Sequence, residues 1–212
     1  MRLLLIHTCA AEGLVALTED ARVVATETLP GRGSSEHLVG AIRRLLDARG
    51  WRVQQLAAVA VVDGPGSFTG VRVGLSAAKG LCEAGGVGLI AISRLQLVAG
   101  LLPDHPGEVV ALLDAGRGEF FCGIYRDGLR IREELLTAPQ VQQVIHSRRA
   151  VACEPQVARF GLGGVDLLPE PGAAQMLAHT LRRIQAGQWS DVAGADANYL
   201  RRTDAERLAE GR

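Results

Sequence analysis

Val62-Asp63-Gly64-Pro65-Gly66-Ser67-Phe68-Thr69-Gly70-Val71-Arg72-Val73-Gly74 joins an apolar run, Leu56 to Val62, to a helical pattern that lasts to about Ala84. The glycines and proline between Gly64 and Gly70 require a tight turn, with positive φ or close approach to another segment. Ser67 or Thr69 can cap the helix by accepting a hydrogen bond from its free first-turn N–H groups. A strand, a glycine turn and a helix in this order belong to an α/β fold. The turn alone could be plain, could hold an anion at the helix N-terminus, or could form a ledge for a partner. Gly64-x-Gly66-x-x-x-Gly70 lacks the Gly-Lys-Ser/Thr ending of a phosphate loop and the G-x-G-x-x-G spacing of a dinucleotide turn. A phosphate cradle is therefore the weaker reading.

The helix that follows repeats Gly70, Gly74 and Ala78 every four residues, with Ala77 beside them, which leaves one nearly bare stripe. A helical glycine costs ~1 kcal/mol relative to alanine, so the stripe needs a compensating contact. Either the protein's own sheet or a helix of a second chain can supply it.

Upstream, Leu3 to Thr8, Gly13 to Thr18 and Ala21 to Leu29 read as strands, the last two joined by a Glu19-Asp20 turn. Ser34 or Ser35 can cap the next helix, which carries Leu38, Val39, Ile42, Leu45 and Leu46 on one face and stops at Gly50. Downstream, Gly85-Gly86 ends the glycine-striped helix, Val87 to Ile92 is a buried strand, and Ser93 caps a short helix through Leu102. The order β-β-β-α-β-α-β predicts a hairpin-initiated mixed sheet covered by helices. Pro103-Asp104-His105-Pro106-Gly107 is the best domain boundary, dividing an N-terminal lobe, 1–102, from a C-terminal lobe, 103–212.

The second half opens similarly: strands Glu108 to Asp114, Glu119 to Arg126 and Leu129 to Leu136, with an Asp127-Gly128 hairpin turn. Thr137 then caps a helix running to about His146. A strand from Ala150 to Cys153 follows, Phe160 to Pro171 reads as loop, and Ala173 to Ala186 as a helix with Met176, Leu177, Leu181 and Ile184 on its apolar face. Thr203 caps a short charged terminal helix expected to fray, and a terminal helix can pack back on the first lobe. Both halves begin with three strands and a helix, which suggests a structural duplication.

The 212 residues suffice for one large domain or two small ones, and 48% hydrophobic with 22% charged is ordinary for a globular protein. Net charge is zero and Lys79 is the single lysine, which argues against a stand-alone nucleic-acid binder. No apolar run reaches the ~20 residues of a membrane span. Cys9, Cys82, Cys122 and Cys153 form no C-x-x-C pair and read as buried free thiols in a cytoplasmic protein. His7, His37, His105, His146 and His179 show no metal-ligand spacing, and no serine lies in a G-x-S-x-G elbow. Asp114, Arg117 and Glu119 bracket a turn as a functional edge or an ion pair, and Asp63 reads as a turn residue. No catalytic or metal-binding set is expected.

Several separate motifs then fit one family. Leu4-Leu5-Ile6-His7-Thr8-Cys9 resembles the I-D-T-S opening of the bacterial TsaB (YeaZ) proteins. Gly64 to Gly74 matches their most distinctive block without a gap, and Ala77-Ala78-Lys79-Gly80-Leu81 continues it. Leu113-Asp114-Ala115-Gly116-Arg117-Gly118-Glu119 is similar to their L-D-A-R-x-G-E turn, and Tyr199-Leu200-Arg201 to their closing Y-L-R. The matches run in family order over nearly the full chain.

The resemblance implies a two-lobed actin/Hsp70/sugar-kinase-like fold and a role in making threonylcarbamoyladenosine beside the anticodon of ANN-decoding tRNAs. It implies a subunit that is not itself the catalyst, paired with a homologous catalytic TsaD subunit and joined by a TsaE-type ATPase. Further implications are a homodimer when alone and tRNA bound through the complex. No cofactor is expected on this chain alone, with ATP or ADP at the junction with the catalytic subunit. Docking is expected through Gly70, Val71, Arg72, Gly74, Leu75 and Ala78 together with Leu38 and Ile42, so Gly74→Leu should leave the monomer folded and abolish assembly. Gly64, Pro65, Gly66, Ser67, Phe68 and Thr69, with Asp114 and Arg117, are a structural loop or lie near nucleotide. Two departures stand out: His7 replaces the family Asp and Cys9 the Ser. A neutral imidazole is a poor ligand for a hard cation, which weakens the rival reading as a small phosphotransferase. A peptidase, the second rival, lacks a recognisable nucleophile and base.

Overall fold

The computed structural model describes residues 1–31, 34–102 and 105–201, with only the backbone of Ser34 and Ser35. The serine cap of the first helix, the linker at Pro103-Asp104 and the charged helix after Thr203 lie outside the described residues and side chains.

The first sheet has the order β3-β2-β1-β4-β5, built from β1 (Arg2–His7), β2 (Gly13–Glu19), β3 (Arg22–Leu29), β4 (Ala58–Gly64) and β5 (Gly88–Ser93). β1 is antiparallel to β2 and parallel to β4. The alternation in β1 decides its two faces. Leu4 and Ile6 meet helices α1 (Ser34–Arg49) and α2 (Phe68–Gly85) on one side. Leu3 and Leu5 meet Leu97 of α3 (Arg94–Ala99) and Met176 and Leu177 of α5 (Ala173–Gln185) on the other.

The second sheet repeats the plan: β6 (Glu108–Gly116), β7 (Glu119–Arg126), β8 (Leu129–Thr137), β9 (Arg149–Ala152) and β10 (Val165–Leu167), in the order β10-β9-β6-β7-β8. Its β6 is antiparallel to β7 and parallel to β9, so the two sheets share one topology. α4 (Ala138–Ile145) covers one face through Val141 and Ile145. Leu95 and Val98 of α3 cover the other. α3 is thus shared between the sheets, and the cleft lies at its first turn.

Four local expectations change. Val39 points outward, 68% exposed, while Ala41 takes a core position in α1. α3 ends at Ala99, followed by a turn. Ser93 stands at its N-cap position without capping it, because its Oγ accepts from Asn198 Nδ2 at 3.4 Å. β10 lies within the stretch read as loop, pairing with β9. A 3-10 turn, Pro155–Phe160, precedes it. All four cysteines are free and buried.

α2 begins as expected, with Ser67 rather than Thr69 as the cap: Ser67 Oγ accepts from the Gly70 N–H at 3.3 Å. Its bare stripe faces inward. A Cβ on Gly70 would lie 2.0 Å from Thr8 O, and one on Gly74 would lie 2.2 Å from Thr8 Oγ1. Thr8 Oγ1 donates to Gly70 O at 2.6 Å, so the contact is a close backbone approach rather than open space. Leu38, Ile42, Leu75 and Ala78 are core residues and Val71 packs on the opposite face of the first sheet. The docking stripe expected from these residues is therefore corrected. They compensate their cost against the chain's own first strand, and Gly74→Leu would strike the fold itself.

Candidate functional site

The end of β1, the glycine loop and α3 converge on the cleft between the sheets. Gly66 lies so close to β1 that a Cβ there would be 2.3 Å from Cys9 O. The Ser67 N–H donates to that same oxygen at 2.9 Å. The loop is thus strapped to the strand end, and its glycine serves close approach.

Arg94, the first residue of α3, is 2% exposed and would carry an unfavourable charge at a helix N-terminus without partners. It has two. Nε and Nη2 donate to Glu170 Oε1 and Oε2 at 2.8 and 2.6 Å, and Nη1 donates to Glu154 Oε1 at 2.8 Å. Glu154 Oε2 accepts the Asp114 N–H at 2.7 Å, tying the cluster to the β6–β7 turn. Burial opposes the Arg94 charge, and the two carboxylates outweigh it. Burial likewise opposes the Glu170 charge. Bonds from His7 and Arg94 outweigh it and hold the carboxyl well below its usual range.

His7 Nε2 lies 3.2 Å from Glu170 Oε1, and its Nδ1 lies 3.8 Å from Cys9 Sγ. Burial lowers the pKa of the ring, but the neighbouring Cys9 and Glu170 raise it further, to about 9. Cys153 Sγ donates to Glu170 Oε2 at 3.0 Å, and burial pushes its thiol up.

Two cavities flank this cluster. One of about 450 Å³ is lined by Cys9, Gly66, Phe68, Arg117, Tyr199 and Arg201 among others. The second, about 610 Å³, opens beside His7, Cys153 and Glu170. Arg94, Asp114 and Glu154 border both, so the ion cluster is the partition between them.

The sequence-derived residues divide clearly. Gly66, Ser67, Phe68, Pro65, Asp114 and Arg117 do gather at one cavity. Asp114 Oδ1 accepts the Gly116 N–H at 2.7 Å and shapes its own turn. Gly64 packs near Asn198, Thr69 is exposed, and Arg72 is outside the cavity lining. Arg72 instead stacks 3.7 Å above the Phe68 ring and donates from Nε to Tyr199 Oη at 2.6 Å. Arg94, Glu154, Glu170 and Cys153 were not anticipated. The single available signal was an arginine opening a short, largely apolar helix immediately after a buried strand.

Residues 28–158 match the family model described as TsaD, tRNA N6-adenosine threonylcarbamoyltransferase. The chain is 31% identical to the tRNA threonylcarbamoyladenosine biosynthesis protein TsaB of Escherichia coli over 70% of its length and 66% of that protein's. It is also 31% identical to TsaB of Bacillus subtilis over 54% of its length and half of that protein's. YeaZ from Pseudomonas aeruginosa superposes with a TM-score of 0.78 at 24% identity, covering 94% of this chain and 99% of that one.

Proposed function

Because the chain belongs to the TsaD family, with TsaB (YeaZ) proteins among its relatives, we propose that it serves tRNA threonylcarbamoyladenosine synthesis as a non-catalytic scaffold subunit. It docks a catalytic TsaD homologue through the outer faces of α1 and α2. The TsaE-type ATPase and the tRNA join through that complex, and the same faces pair two copies when the partner is absent.

The observation that carries this reading is the exposed Val39 of α1 together with partly covered apolar side chains on α2. Val39 is 68% exposed, and Val73, Ala77 and Leu81 are only partly covered where α2 packs beside the core. Exposed apolar side chains on adjoining helices suit a partner interface. The proposal replaces the buried glycine stripe by these residues. Arg72, Phe68 and Tyr199 extend the surface with the aromatic and arginine chemistry found at binding hot spots.

A metal-bound nucleotide fits poorly at the β1 end. In this fold that position calls for hard oxygen ligands, whereas this strand offers an imidazole and a thiol. Glu170 and Glu154 are already bonded to Arg94. Any ATP or ADP is therefore proposed for the junction with the catalytic subunit.

The test is co-purification of tagged catalytic homologue with this chain. Val39→Glu combined with Ser76→Glu, both exposed, should reduce recovery at least about tenfold while leaving the thermal midpoint unchanged, as charges at the centre of an interface do. Wild-type recovery by the double variant would sink the docking surface.

A further inference from the structure

A thiol, an imidazole and a carboxylate stand in line where β1 ends. Cys9 Sγ faces His7 Nδ1 at 3.8 Å, and the opposite ring nitrogen faces Glu170 Oε1 at 3.2 Å. β1 ends at His7 and the chain bends at Cys9 two residues on, which sets the thiol beside the ring. Arg94 grips both oxygens of Glu170 and is in turn held by Glu154, which fixes the carboxylate and, through it, the ring. One proton can lie on sulfur or on Nδ1 with every contact kept. Nε2–H donates to Glu170 in both cases. This is the nucleophile, base and orienting group of a thiol site.

The other thiols differ. Cys82 donates to Gly88 O at 3.4 Å, and burial raises its pKa to about 11. Burial raises Cys122 to about 12. Cys153 spends its proton on Glu170. Only Cys9, among the described cysteines, combines an adjacent imidazole with a wall of the 450 Å³ cavity. That cavity also presents Phe68 and Phe121 as apolar surface, and Arg117 and Arg201 at its border.

We propose that Cys9 is the nucleophile of a site that accepts the acyl group of small activated esters, with His7 as its base and Glu170 as a positioning residue. Sγ attacks the acyl carbon, the new C–S bond forms and the C–O bond to the leaving alkoxide breaks. The thiol proton travels through His7 Nδ1 to the leaving oxygen, giving a thioester and an alcohol. Water then cleaves the thioester to the acid and restores the thiol. Phe68 and Tyr199 border both this cavity and the docking surface, but Val39 and the outer residues of α1 lie outside the cavity lining, so loss of either property leaves the other readable.

The test uses the full chain with p-nitrophenyl acetate. The expected result is a burst of one p-nitrophenolate per chain, with the acetyl group on the Cys9 peptide by mass spectrometry and no burst in Cys9→Ser. General-base assistance is worth roughly 10²–10⁴-fold, so His7→Asn should slow acylation at least about a hundredfold at pH 7. Glu170→Gln should move the rate-against-pH curve to higher pH. A burst of unchanged size and rate in Cys9→Ser overturns the proposal. Acetylation spread over Lys79, the amino terminus or the other cysteines also overturns it.

Discussion

His7 carries opposed influences on one ring: burial disfavours its charge, while Cys9 and Glu170 favour it more, and Arg94 weakly opposes them. The folded-state value, about 9, lies above the unfolded ~6.5. Its contribution to stability is therefore complete below ~6.5 and is lost as pH rises through 9. Thermal midpoints should fall by several degrees between these limits, and His7→Asn should flatten the fall. An equal decline in the variant would remove His7 as the cause. Glu170 acts in the opposite direction, with its contribution present above the usual carboxylate range and lost on acidification. At this scale the sequence was partly readable. His7 and Cys9 were visible as departures from a motif, but their partners were not. Arg94 lies 60 and 76 positions from the glutamates it binds, and no local spacing encodes contacts made by folding.

α2 was the best-read element and the most misread surface. Its start, its C-terminal Gly86 in left-handed conformation and its alternation of small residues all followed from local rules. What those rules could not decide was the identity of the surface against the stripe, since an internal strand and a foreign helix ask for the same small side chains. Thr8 answers the question. Gly74→Leu should cost at least about 1–3 kcal/mol, as overpacking does, and lower the thermal midpoint even in the isolated monomer. Gly80 supplies the control. A Cβ there meets nothing within 4 Å, so Gly80→Ala should raise stability by up to ~1 kcal/mol. Equal effects at the two positions would contradict the inward orientation. β10 escaped notice for a related reason: three residues among glycines and prolines are too short for a period of two to register.

The two sheets share one topology, which the repeated β-β-β-α pattern anticipated without any visible identity between the halves. Their joining was not legible. Asn198 donates its N–H to Asp63 O at 2.8 Å and its Nδ2 to Glu133 Oε2 at 2.5 Å, linking β4 of the first sheet to β8 of the second. Glu133 also accepts from Tyr125 Oη. Burial first, then Glu133, raises Asp63 to about 7. Asn198→Ala leaves a buried carboxylate short of a donor, a loss of roughly 1–3 kcal/mol. Hydrogen exchange should then accelerate along residues 190–201 and at the adjoining strands. Unchanged protection there would show that the sheets are held together without this side chain.

Met176 and Leu177 of α5 cover Leu3 and Leu5 of the first strand, and Ser190 bridges to Leu89 on β5. β1 and α5, far apart in the sequence, are thus partners in one hydrophobic layer. During synthesis on a ribosome, the N-terminal sheet must wait, with that face uncovered, until the second lobe has been translated and α5 has cleared the exit tunnel. The second lobe has its own helix-covered face and can consolidate before the first is finished. Translation order and completion order run in opposite directions, and α5, the last helix among the described residues, closes a sheet made long before it.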